Sequence, residues 1–491
     1  MTRVGIIGAG LGGLSAAVRL AHYGYEVDLY DQQSFTGGKA GVLNLNGYRF
    51  DTGPSLLTMP DVFEQLFEEV GAEMGAYLQL ERLDPLCRYF FADGSTLSTY
   101  SDTRRTAEEI AASSLDSVAQ VHSFFEYSRR IYEAAAELFL YKSLHEPSTY
   151  ANWKALRSLL QLGRIDPLRS MDQANRFFFK DPRIVQLFNR YATYNGSDPY
   201  RMPATFNLIP HVEYALGGYA VRDGIAAIPR ALSRLALERG VRIHTGVGVQ
   251  GILTAPRRVW GLTVEGENIP YDVVISNADV LTTYERLMKL PQNRWARRYN
   301  RLEPSSSALV FYWGLNRTFP ELDVHNIFFS SDYRREFEEI FSRRSCPQEP
   351  TVYVNITSKV DPSDAPANCE NWFVMINVPP HRGQHWKAIA AGIRPTILKR
   401  IETALGSAVG PHISAEAVLT PADIENTGSA FGSLYGLSSN SRLSAFRRHP
   451  NRSSRFRGLY FCGGSAHPGG GMPLAVLSGK IAADLVRRYE G

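Results

Sequence analysis

The stretch Val4-Gly5-Ile6-Ile7-Gly8-Ala9-Gly10-Leu11-Gly12-Gly13-Leu14 decides the fold of this 491-residue chain. An apolar run, Val4–Ile7, enters glycines at GxGxxG spacing, and Leu14–Tyr23 then carries apolar residues at the helical period. Glu26–Tyr30 is a second buried run, so the segment reads as a βαβ unit with parallel strands. In such a turn Gly8 permits the tight reversal, Gly10 lets main chain approach a pyrophosphate, and Gly13 allows close helix packing. Leu11 and Gly12 fall in the first helical turn, where free amides and the positive end of the helix dipole favour an anion. Asp31 ends the second strand, where a carboxylate takes ribose hydroxyls. A lone GxGxxG is weak, but here strand, helix, second strand and acid stand in register, which predicts a dinucleotide site.

Two further stretches point to a flavin dinucleotide. Gly37-Gly38-Lys39 supplies flexible backbone and a cation just beyond the acid. Near the other end, the strand Leu459–Cys462 runs into Gly463-Gly464-Ser465-Ala466-His467-Pro468-Gly469-Gly470-Gly471-Met472-Pro473, and a helix follows with Pro473 near its start. Such a loop lets main chain lie against a planar ring, while the helix dipole favours negative charge on it. The expected cofactor is FAD, held non-covalently.

The rest of the chain is consistent with two interleaved domains, since single cores stop growing near roughly 250–300 residues. Asn46-Gly47 between Val42–Leu45 and Tyr48–Phe50 predicts a hairpin. Residues 105–190 carry helical spacing, with Val118, Val121, Phe124, Phe125 and Ile131 on apolar positions. Sheet patterns return at Val241–Val249, Val273–Ile275, Ala308–Trp313, Val352–Ile356 and Trp372–Asn377.

Composition narrows the function. Basic and acidic residues nearly balance, 53 against 49, which lacks the basic footprint of a nucleic-acid binder. Cys87, Cys346, Cys369 and Cys462 are scattered, so neither a disulfide framework nor a metal site is indicated and a reducing compartment is expected. No signal peptide and no run of the roughly 18–20 apolar residues of a membrane span are visible.

Together these motifs resemble the bacterial phytoene desaturase family of FAD-dependent carotenoid oxidoreductases, end to end. The resemblance rests on the two glycine-rich regions, Phe50-Asp51-Thr52-Gly53-Pro54, and Ser276-Asn277-Ala278-Asp279. Residues 189–200, Glu370–Met375 and Gly463-Gly464-Ser465 are most similar to the hydroxycarotenoid 3,4-desaturases, also called methoxyneurosporene dehydrogenases. The family usually carries Pro-x-Gly-Gly where this chain has Val221-Arg222-Asp223-Gly224, which sets an acid near the expected diphosphate unless Asp223 points away.

The resemblance implies an α/β fold: a Rossmann-like FAD-binding domain of the glutathione reductase and amine oxidase type, assembled from discontinuous segments at 1–85, 215–285 and 440–491. An α+β substrate domain at 86–214 and 286–439 is interleaved with it and includes a helical, membrane-facing subdomain at about 105–190. The cofactor-binding positions expected are Gly8, Gly10, Leu11, Gly12, Gly13, Asp31, Gly38, Lys39, Pro54, Val249, Asn277, Gly464 and Pro473. The implied reaction is desaturation of an acyclic carotenoid, with a C3–C4 double bond introduced into a 1-hydroxy or 1-methoxy substrate. Phytoene desaturation, redox-neutral isomerisation, amine oxidation and non-catalytic lipid binding on the same scaffold stand as rivals.

Breaking two C–H bonds needs a two-electron acceptor, which no side chain provides. Weak candidates for the base that takes the second hydrogen as a proton are His467, Glu213 and Asp423. The expected partners are an apolar carotenoid, a lipid surface met from the cytoplasmic side, and oxygen or a quinone as electron acceptor. Tyr150–Gly163 sets Trp153, Leu156, Leu159 and Leu160 beside Lys154 and Arg157, with Arg164 just beyond, a pattern that suits both an interfacial helix and an ordinary core-packed one. The run Phe177-Phe178-Phe179 equally suits a tunnel wall and a core.

Overall fold

A computed structural model describes residues 1–146, 165–442 and 448–491. The βαβ unit forms as the sequence predicts: strand Arg3–Ile7, helix Leu11–His22, strand Glu26–Asp31. These strands sit inside a five-stranded parallel sheet ordered Leu459–Phe461, Val273–Ser276, Arg3–Ile7, Glu26–Asp31, Arg242–Thr245. The sheet is therefore built from three remote stretches of chain. Strands covered on both faces bury consecutive residues, Val4–Ile7 in the first and Val27–Tyr30 in the second, where Asp28 is the polar member.

The closing helix, Met472–Glu490, lies against the first helix. Ser15 Oγ donates to the Val476 carbonyl at 2.6 Å, and Arg19, 1% exposed, reaches Ser15 Oγ and the Glu69 carboxylate, each at 2.6 Å. Gly479 stands where the helices touch: a Cβ there would lie 2.3 Å from the Gly12 carbonyl oxygen.

A second sheet of seven strands, mixed in direction, carries the other layer. Its order is Ile413–Leu419, Ser307–Leu315, Glu370–Val378, Val352–Ile356, His325–Phe328, Cys87–Phe90, Thr96–Thr99. One face, with Phe311, Trp313, Trp372, Val374 and Val354, packs on helix Trp386–Leu405 through Ile393, Ile397 and Ile401. The opposite face, with Tyr312, Phe373, Tyr353 and Ile327, looks toward the hairpin, the loop after it and the helical region. That hairpin is Val42–Leu45 and Tyr48–Asp51, with Asn46 and Gly47 both at positive φ (50° and 84°), the geometry of the tight turn the sequence predicts.

Helices Thr103–Ser113, Val118–Phe139, Met171–Phe178 and Pro182–Asn189 form the helical region. Ser117 and Ser170 begin two of them with capping boxes closed by Gln120 and Gln173, satisfying amides that would otherwise lack partners. Of the phenylalanine run, Phe177 is exposed, Phe178 packs edge-on against Phe124, and Phe179 is buried and stacks on Phe188 at 4.8 Å. Phe178 and Phe179 serve the core, and Phe177 does not. The interfacial-helix reading of Tyr150–Gly163 falls outside the described residues. Among the described residues no helix is long and apolar enough to cross a membrane. The four cysteines are free.

Gly479→Ala pits helix propensity, worth about 1 kcal/mol in favour of alanine, against a collision with a fixed backbone carbonyl. The collision wins: denaturant unfolding of the flavin-loaded protein is expected to show a net loss of roughly 1–3 kcal/mol. A stabilised variant would mean the two helices do not meet as described.

Candidate functional site

The site begins where the first helix starts. Gly8 sits at φ 94°, and its carbonyl oxygen would lie 2.1 Å from a Cβ at Gly13, so the turn folds back on the helix it opens. Asn277, at the end of strand Val273–Ser276, reaches beneath this turn. Its Nδ2 donates to the Gly8 carbonyl at 3.1 Å, and its own N–H donates to the Ile7 carbonyl at 2.8 Å. Cβ atoms at Gly10 and Gly12 would meet the Asn277 amide at 2.9 and 2.6 Å, and one at Gly12 would also meet Gly463 N at 2.8 Å. The sequence reading assigned Gly10 to approach by a ligand; here Gly10 also makes room for a side chain from a remote strand.

Gly37-Gly38-Lys39 packs on the same turn: Gly37 N donates to the Ala9 carbonyl at 2.8 Å, and a Cβ at Gly38 would stand 3.6 Å from Gly10 Cα. Asp31 joins it too, its carboxylate accepting from Ala9 N at 2.7 Å and Gln33 N at 2.8 Å. Burial raises the Asp31 pKa despite those bonds.

Lys39, Asp279 and Tyr435 are surrounded by protein, yet each keeps accessible surface. Side chains that line a recess in the protein meet both conditions. Enclosure pulls the Lys39 pKa down to about 8, with Asp279 opposing the shift. Among the described residues Lys39 Nζ donates only to main chain, to the Ser433 and Leu434 carbonyls at 3.1 and 2.8 Å. Arg448, 5% exposed, likewise donates to the carbonyls of Tyr435, Gly464 and Leu437 at 3.2–3.4 Å, and burial lowers its pKa. Among the described residues neither cation has a carboxylate within salt-bridge distance.

Two helix N-termini add to this positive potential. The first helix starts at Gly10 and the closing helix at Gly471, neither with a side-chain cap nor with an acid in its first turn; Pro473 lies in the first turn of the latter. Two cations without counter-ions, Arg448 buried and Lys39 accessible, together with two uncapped helix ends, fit a dianionic dinucleotide.

Other expected positions are placed as follows. Pro54 lies in the half-buried loop after the hairpin. Val249 opens strand Val249–Ala255 of a separate three-stranded antiparallel sheet, so the parallel sheet ends at Thr245 and not at the Val247–Val249 segment. Asp223 is exposed at φ 62°, and its carbonyl oxygen receives Arg49 Nη2 at 2.7 Å; the carboxylate stays at the surface. Arg448 and Tyr435 were not foreseen, because nothing in their local sequence distinguishes them from surface residues.

The three candidate bases are all engaged. Asp423 closes a capping box at the start of helix Pro421–Asn426, accepting from Thr420 N and Oγ1 at 2.9 and 2.7 Å. Glu213, 1% exposed, accepts from Tyr191 at 2.7 Å, from Arg190 at 3.3 Å and from Tyr194. His467, also 1% exposed, donates from Nε2 to the Lys142 carbonyl at 2.8 Å, and burial holds its pKa near 3, a poor proton acceptor.

That depressed pKa has a sign. A histidine whose folded pKa lies below its unfolded value stabilises fully above about pH 6.5 and loses that contribution as pH falls toward 3, by about 1.4 kcal/mol per pH unit. His467→Gln, which keeps an N–H for the Lys142 carbonyl, is expected to flatten the fall in melting temperature between pH 6.5 and 5. Parallel profiles for wild type and variant would show that His467 is not held neutral.

Residues 11–487 match the family model of flavin containing amine oxidoreductases. The chain is 42% identical to a 1-hydroxycarotenoid 3,4-desaturase of Flavobacterium sp. (strain P99-3), the alignment covering 99% of both chains. It is 35% identical to a 4,4'-diapolycopene oxygenase of Methylomonas sp, covering 99% of this chain and 98% of that one. Among solved structures, an oxidoreductase from Methanosarcina mazei superposes with a TM-score of 0.63 at 16% identity, over 98% of this chain and 100% of that one, a likeness of fold. The matched family and the site described above lead to one conclusion: the chain belongs to the flavin containing amine oxidoreductase family and is an FAD-dependent oxidoreductase.

Proposed function

We propose that this enzyme removes two hydrogens from C3–C4 of an acyclic 1-hydroxycarotenoid, lengthening its conjugated system. Whole-length identity of 42% to a 1-hydroxycarotenoid 3,4-desaturase carries this reading. The relatives named oxygenases are more distant, at 34–35%. FAD, when bound, supplies the two-electron acceptor for a hydride equivalent.

In this reading the cofactor is held non-covalently. Gly8, Gly10, Leu11, Gly12, Gly13 and Gly38 present main chain to the diphosphate, with Lys39 as its cation. Asp31 and Val249 serve the ribose and adenine side, Asn277 fixes the turn, and Pro54, Gly464 and Pro473 face the ring. The FAD-binding domain comprises 1–85, 215–285 and 440–491, and the substrate domain 86–214 and 286–439. The apolar face of the seven-stranded sheet, with Val310, Tyr312, Met375 and Phe373, lies across from the hairpin and supplies a dry wall along which a polyene can be oriented. Its substrate partitions into lipid, so we propose that the enzyme works at the cytoplasmic face of a membrane and passes electrons to oxygen or a quinone.

Pigments from cells making acyclic carotenoids, with and without a C1 hydroxyl, decide the reaction when compared with and without this protein. Loss of two hydrogens with a red-shifted spectrum from the 1-hydroxy substrate is expected. Conversion of phytoene would reassign the enzyme upstream, added oxygen would make it an oxygenase, and unchanged mass would sink the desaturase reading.

Lys39→Ala is expected to weaken FAD retention roughly tenfold or more, the size of one charge-assisted hydrogen bond, read from flavin fluorescence released on gel filtration. Unaltered retention would remove Lys39 from the cofactor site.

A further inference from the structure

A polar chain crosses the face of the seven-stranded sheet that carries Tyr312 and Phe373. Ser55 Oγ lies 2.5 Å from the Tyr353 hydroxyl, which lies 2.7 Å from His325 Nδ1. Ser55 comes from the loop after the hairpin, while Tyr353 and His325 come from adjacent strands.

The direction of this chain can be worked out. Asn355 Nδ2 donates to the Val324 carbonyl at 3.0 Å, which fixes the amide orientation, and the same NH2 group faces His325 Nδ1 at 3.3 Å. Nδ1 is therefore an acceptor and the ring proton sits on Nε2. Burial and the nearby Arg190 hold the His325 pKa near 3, so the ring stays uncharged at neutral pH. Tyr353 must then donate its only hydrogen to Nδ1, and Ser55 must donate its hydrogen to the Tyr353 oxygen. What remains is the Ser55 oxygen, with lone pairs and no hydrogen to give.

Ser55 itself keeps part of its surface accessible. Tyr353 and Tyr194 are enclosed by protein yet keep accessible surface, and Thr52–Leu56 is half-buried along its whole length, so a gap separates sheet, loop and helical region. A lone acceptor at the edge of an apolar gap suits a ligand that is apolar except for one O–H.

We propose that Ser55, set by Tyr353 and positioned by His325, binds the tertiary hydroxyl at C1 of the substrate. The inference rests on the desaturase reading and deepens it. C1 is separated from the reacting C3 by a single carbon, so the group that recognises it must adjoin the cofactor site; Ser55 directly follows Pro54. Because the site offers an acceptor and no donor, it favours a hydroxyl over a methoxyl, which has no hydrogen to give, and over an unsubstituted end.

Purified flavin-loaded enzyme is given three acyclic carotenoids matched except at C1, bearing hydroxyl, methoxyl or hydrogen, in lipid vesicles. Wild type is expected to prefer the hydroxyl by roughly tenfold or more in kcat/KM. Ser55→Ala and Tyr353→Phe should collapse that preference, mainly by raising KM for the hydroxylated substrate, with flavin content unchanged. Ser55→Thr should retain it. A wild-type preference that survives in Ser55→Ala overturns the inference and leaves the desaturase reading standing, as does equal turnover of all three substrates by wild type. No C3–C4 desaturation of any of them overturns the desaturase reading itself.

Discussion

Three stretches of chain that are far apart in sequence meet within a few ångströms at the start of the first helix, and at Gly10, Gly12 and Gly13 there is no space for a Cβ. Gly8 turns the chain at positive φ, Asn277 fills the cavity beneath the turn, and Gly463 closes the third side. Gly479 extends the same tight contact along the two helices. Glycine costs backbone entropy wherever it is ordered, and that cost is justified only where close approach is required. The parallel sheet, the alignment of the two helix N-termini and the position of the C-terminal loop all follow from this junction.

Electrostatics then gives the junction its use. A buried arginine with only carbonyl partners and an enclosed lysine beside it would destabilise a protein with nothing to bind, because desolvated charge without a counter-charge is expensive. Here both lie around a recess toward which two uncapped helix ends contribute further positive potential. Binding of a dianionic cofactor turns a liability of the empty fold into a source of stability, so folding and cofactor loading are coupled.

The substrate side shows the opposite economy. Aromatic and aliphatic residues line the sheet face and the helical region, and the three groups considered as bases are already engaged within the protein. Glu213 is saturated by Arg190 and two tyrosines, Asp423 caps its own helix, and His467 is tied to a carbonyl. A wall of this kind holds a polyene through shape and dryness and reserves directional bonding for the few places where the substrate carries an oxygen.

The amino-acid sequence alone determined the βαβ unit, the hairpin at Asn46-Gly47, most sheet segments and the flavin chemistry, because each is written in local periodicity or in glycines at fixed spacing. The strand pattern at Val352–Ile356 and the helix from Val118 are legible for the same reason. The end of the parallel sheet at Thr245 was not, since Val247–Val249 is equally apolar and only pairing partners distinguish the two sheets. Nor could sequence separate a phenylalanine run that fills a core from one that lines a tunnel. Arg448, the packing role of Asn277, and the line from Ser55 through Tyr353 to His325 belong to the tertiary structure alone. Their meaning lies in what stands opposite them after folding, and contacts between residues hundreds of positions apart leave no periodic trace along the chain.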